Sequence, residues 1–108
     1  EKSGKWFAAQ RSDGATVGLA SAKQLGPDCV QVDAFTQLPQ HLRTTAKLYK
    51  RSMEEAAVMG AKEVRAVCAD HDELKRSILK ELDFQATDQE VQVETAERPV
   101  ELIVYQLG

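Results

Sequence analysis

Apolar and polar residues alternate along the first third of the chain. Lys5 to Gln10 (KWFAAQ) reads as a strand, with Trp6 and Phe7 as its apolar positions. The turn signal Asp13-Gly14 follows. Ala15 to Leu25 reads as a second strand carrying Val17 and Leu19, and Gly26-Pro27-Asp28 is a second turn. Cys29 to Phe35 alternates well, with Val30, Val32 and Ala34 on one face and Gln31 and Asp33 on the other. These three strands predict an antiparallel meander.

The period then changes. Leu42, Ala46, Tyr49, Met53 and Ala56 recur at helical spacing and predict the inner face of a long amphipathic helix, with Gly60 as its stop. Glu63 to Cys68 (EVRAVC) is a short strand. Asp70 with Glu73 three residues on reads as a capped helix start, and Leu74, Ile78 and Leu82 as that helix's inner face. Phe84 opens another strand-like region in which Val91 and Val93 alternate. Val100 to Leu107 is a last strand, entered at Pro99. The order β-β-β-α-β-α-β-β predicts an α+β fold, a mixed β-sheet with packed helices. The long helix is then a right-handed crossover between two parallel strands, Cys29–Phe35 and Glu63–Cys68.

A chain of 108 residues predicts a single domain, a fragment or one domain of a longer chain that begins at Glu1 rather than Met. A net charge of -3 gives no electrostatic reason to expect nucleic acid as a partner. No run is long and apolar enough to span a membrane, and no secretory signal is visible, so a cytoplasmic protein is expected. Cys29 and Cys68 sit in apolar strands and read as buried free thiols. His41 and His71 stand alone, without the spacing of a metal site.

Three segments stand in a set order: Gly14 to Leu19 (GATVGL), Ala56 to Arg65 (AAVMGAKEVR) and Asp72 to Phe84 (DELKRSILKELDF). Together they resemble the GNAT N-acetyltransferase superfamily: its usual hairpin, its common helix end and following strand, and its Asn- and Tyr-bearing segment that ends in Gly-Phe. Gln40 to Leu48 stands where that family places its phosphate loop, with Gln40 at the first position and Arg43 and Thr45 at the two glycine positions. The resemblance covers nearly the whole chain but lacks the family's first strand and first two helices. It implies acetyl-CoA as cofactor, held by Phe35, Gln40, Leu42, Arg43, Thr44, Thr45 and Ala46, with Asp72 at a conserved Asn position. Lys75 stands at a small-residue position, Leu79 at the position of an acidic Tyr, and Asp83 at that of a glycine.

Acetyl transfer to an amine needs a grip on the pyrophosphate, a donor for the thioester carbonyl, a base and an acid. The start of the long helix offers N–H groups, and Arg43 a guanidinium, for the first. The resemblance implies a backbone N–H near Phe35 for the second. Asp33 is the strand-borne carboxylate for the base; the same alternation also fits a plain solvent-facing position. His71 is a second titratable group, or a surface neighbour of a cap. Leu79 supplies no acid, while Tyr49 and Tyr105 read as packing residues. Two functions stay open: an acetyl-CoA-dependent N-acetyltransferase acting on a small-molecule or peptide amine, or a non-catalytic binding or assembly module of the same fold. An unrelated small α+β domain is a third reading, and a homodimer is compatible with all of them.

Overall fold

The computed structural model describes residues 4–10, 12–36 and 42–107. Its elements are β1 (Gly4–Gln10), β2 (Thr16–Gln24), β3 (Cys29–Thr36), α1 (Leu42–Val58), β4 (Glu63–Ala69), α2 (Glu73–Glu81), β5 (Phe84–Glu94) and β6 (Pro99–Leu107). The six strands form one sheet in the order β1-β2-β3-β4-β6-β5. β3 and β4 are parallel, as the crossover predicts, and every other neighbouring pair is antiparallel.

Register puts Ala20, Ala22, Val30, Val32, Ala34, Ala66, Cys68 and Tyr105 on one face, where they join Leu48, Tyr49 and Ala56 of α1 and Ile78 and Leu79 of α2 in a single core. Alanines on β2 and β3 leave room for α1 to lie close. The expected inner face of α1 is therefore rotated. Thr45, Leu48, Tyr49, Ser52, Glu55 and Ala56 are buried, whereas Leu42 is 39% exposed and Ala46 and Met53 are half-buried. Small polar residues fit this tight contact, and Ser52 satisfies its hydroxyl by donating to the Leu48 carbonyl at 3.1 Å. Gly18 serves the same approach: a Cβ there would stand 2.8 Å from Leu48 Cδ1 and 2.9 Å from the Phe35 carbonyl oxygen.

The second helix starts later than Asp70. A tight turn, Asp72 N–H to Ala69 carbonyl at 3.1 Å, delays it. Asp72 is the cap, accepting from Lys75 N–H at 3.2 Å, and Glu73 becomes the first helical residue. The inner stripe accordingly reads Lys75, Ile78, Leu79 and Leu82, with Leu74 46% exposed. Cys68 is buried and Cys29 half-buried, both as free thiols. Among the described residues no helix is long and apolar enough to cross a membrane.

Candidate functional site

The site is built where two parallel strands part. β3 and β4 share register only from Cys29 opposite Glu63 to Gln31 opposite Arg65. Beyond that, β3 stays with β2 to Thr36 and β4 stays with β6 to Ala69. The opening between them is flanked by the starts of α1 and α2. It holds a cavity of about 240 Å³ lined by Ala34, Phe35, Thr36, Leu42, Thr45, Asp72, Leu74, Lys75 and Ile78.

Asp33 lies where β3 is still paired with β2, opposite Ser21, but no longer with β4. By alternation it belongs to the sheet face away from the helices, but with no strand on its β4 side the carboxylate turns to Tyr49 of α1 and Lys75 of α2, beside the cavity. Its Oδ1 accepts three bonds: from the Ala34 N–H at 2.9 Å, the Tyr49 hydroxyl at 3.2 Å and the Lys75 ammonium at 2.9 Å. The Lys75 side chain is 23% exposed and that of Asp33 42%. Burial, followed by the Asp33 charge, pushes the Tyr49 hydroxyl well above the usual phenol range, so it stays a proton donor. The Ala34 N–H is the donor nearest Phe35 that faces this opening, and Asp33 covers it.

Cys68 is near the floor of this region, but burial pushes its thiol up to about 11 and its hydrogen is directed to the carbonyls of Ala69 and Asp72. It is a protonated, inert thiol at neutral pH. Leu79 is fully buried in the core and offers no proton.

The expected residues divide. Phe35, Leu42, Thr45 and Asp72 line one cavity. Arg43 is exposed and Thr44 and Ala46 are half-buried beside it, outside the lining. Thr45, at the second glycine position, is 8% exposed with its hydroxyl 3.1 Å from that of Thr36, so its side chain turns toward the sheet. Gln40 and His41 lie outside the described residues. His71 is exposed and borders a different, larger concavity of about 540 Å³ with Glu90 and Arg98. The smaller opening is the better candidate because hydrogen bonds tie its groups together across three elements, Asp33 of β3 with Tyr49 of α1 and Lys75 of α2. Lys75 and Tyr49 were not expected in a site. The signal for Lys75 was its place at the head of the stripe Lys75, Ile78, Leu79, Leu82, where a charged residue sits on an inward face.

No family model matches the chain, and no curated protein matches it. Solved structures do. The spermidine N-acetyltransferase SpeG of Vibrio cholerae superposes with a TM-score of 0.77 at 10% identity, covering 99% of this chain and 66% of that one. YncA of Salmonella typhimurium, solved with its cofactor acetyl-CoA, gives 0.74 at 19% identity over 90% of this chain and 60% of its own. RimJ of Mycobacterium smegmatis, in complex with CoA-disulfide, gives 0.74 at 11% identity over 96% and 52%. The chain thus has the GNAT acetyltransferase fold, and it spans about half to two thirds of the length of these three structures.

Proposed function

We propose that the chain binds a coenzyme A thioester, acetyl-CoA foremost, in the opening between β3 and β4 and passes its acyl group to an amine. The observation that carries this reading is the opening itself. In one place it brings together an apolar-walled groove, a strand N–H at Ala34, a carboxylate at Asp33 and the N-terminus of α1. Leu42, Leu74 and Ile78 would flank the extended arm of the ligand, with Phe35 at the edge where β3 has parted from β4. The first amides of α1, at Leu42, Arg43 and Thr44, would meet its phosphates, which favour a helix N-terminus, with Ala46 a turn further along. Asp72 caps the facing helix at the groove's other wall. When bound, the thioester supplies the activated acyl group. The chain's own contribution is to orient it along β3, to present the Ala34 N–H to a carbonyl oxygen and to take up a proton at Asp33.

Calorimetry with acetyl-CoA tests this. Leu74 lines the groove yet is 46% exposed, so Leu74→Trp should fill it without disturbing the core. Binding by the native protein that is lost in the variant supports the reading, and no heat of binding by the native protein sinks it.

A second reading is a non-catalytic binding module of the same fold. Two observations favour it: Leu79 is buried, and the base Asp33 is already engaged by Lys75. Acetyl-CoA binding with no release of free coenzyme A when amines are added would select it.

A further inference from the structure

The amine already present in the opening belongs to the chain itself. Lys75 projects from the first turn of α2 across the gap to β3, and its Nζ lies 2.9 Å from Asp33 Oδ1. The same oxygen accepts the Ala34 N–H at 2.9 Å. Nucleophile and N–H donor are therefore no more than two hydrogen-bond lengths apart, with one oxygen atom between them. An acyl carbonyl fits that separation: its carbon within reach of the amine and its oxygen within reach of the N–H. Lys80, on the same helix, is exposed and has no such surroundings.

We propose that Lys75 is a self-acylation site, the first acceptor of an acyl group delivered as a thioester to this opening. The inference deepens the coenzyme A reading, on which it rests, by naming the amine. The step balances. The Lys75 ammonium gives one proton to the Asp33 carboxylate. Neutralised, the carboxyl loses its hold on the Ala34 N–H, which turns to the thioester carbonyl oxygen. The amine's lone pair forms the N–C bond, the C–S bond breaks, and sulfur leaves with its electron pair. The second nitrogen proton ends on sulfur as the thiol, and Asp33 returns its own proton to water. The product is a neutral amide at Lys75, with the Asp33–Lys75 ion pair gone. Acylation would thus free both Asp33 and the opening.

The test incubates the protein with acetyl-CoA and, separately, with the N-acetylcysteamine thioester, which carries the acyl group but no nucleotide. Peptide mass mapping follows the label at Lys75 against Lys80. Lys75 should be labelled on the order of a hundredfold faster than Lys80, the scale of a positioned base. Asp33→Asn should slow Lys75 and leave Lys80 unchanged. Lys75→Arg keeps a cation opposite Asp33 and should abolish the fast label while the protein stays folded by circular dichroism. Labelling of Lys75 no faster than Lys80 with both donors overturns the inference. Calorimetry separates the two ideas, since coenzyme A binding without selective labelling leaves the proposed function standing and removes only this one. Selective labelling by the small thioester without coenzyme A binding upholds Lys75 and removes the other.

Discussion

Asp83 shows how a single residue departs from a pattern while the backbone keeps to it. It stands where the resembled segment has glycine, and its φ is 73°, in the left-handed region that disfavours a Cβ. The chain needs this angle because α2 ends at Glu81 and Phe84 must already enter β5, buried to 2% exposure. Asp tolerates the region better than most residues but not freely. Asp83→Gly should therefore stabilise the fold by about 1 kcal/mol, the relieved strain exceeding the added freedom of the unfolded chain. A midpoint of urea unfolding that stays put or falls would show that no strain was stored. Thr45 and Lys75 also differ from the pattern, with unlike results. Thr45 is turned toward the sheet and forms part of the groove's wall, whereas Lys75 reaches across it to Asp33.

At the scale of elements, α1 separates what periodicity can tell from what packing decides. Its existence, length and crossover role were legible, because apolar residues recur at helical spacing between two strands and Gly60, at φ 81°, ends the run. Its buried face was not, because hydrophobicity favoured Leu42 and Met53 over Thr45 and Ser52, and only the small alanines of β2 and β3 reverse that order. The parting of β3 and β4 was equally hidden. It depends on where pairing stops, and the Asp33–Lys75 contact joins residues distant in sequence. The element-scale consequence is a ranking. Leu48, 6% exposed, touches the space beside Gly18, so Leu48→Ala should cost about 2–5 kcal/mol. Half-buried Met53→Ala should cost distinctly less, and exposed Lys50→Ala no more than about 0.5 kcal/mol. Equal losses for Leu48 and Met53 in chemical unfolding would refute the rotated face.

Across the whole molecule, the main core cluster lies on one side of the sheet, and Val104, opposite Val67 on the other side, is buried as well. Register places Trp6, Leu19, Phe35, Val67, Val93 and Leu102 on the other side, and among the described residues no helix covers them. Trp6 is 69% exposed, Phe35 51% and Val93 43%, while Leu19, Val67 and Leu102 are half-buried by their strand neighbours. An antiparallel sheet often leaves one face to water, though usually a more polar one. The chain's single tryptophan reports on this face directly. Trp6 in the folded monomer should emit like a water-exposed indole, and acrylamide should quench it nearly as well as in the urea-unfolded chain. Its emission should also be independent of protein concentration. A shielded, blue-shifted emission at low concentration would contradict the open face. A blue shift appearing only as concentration rises would mean that copies of the chain meet there, with the half-buried valines and leucines as their contact.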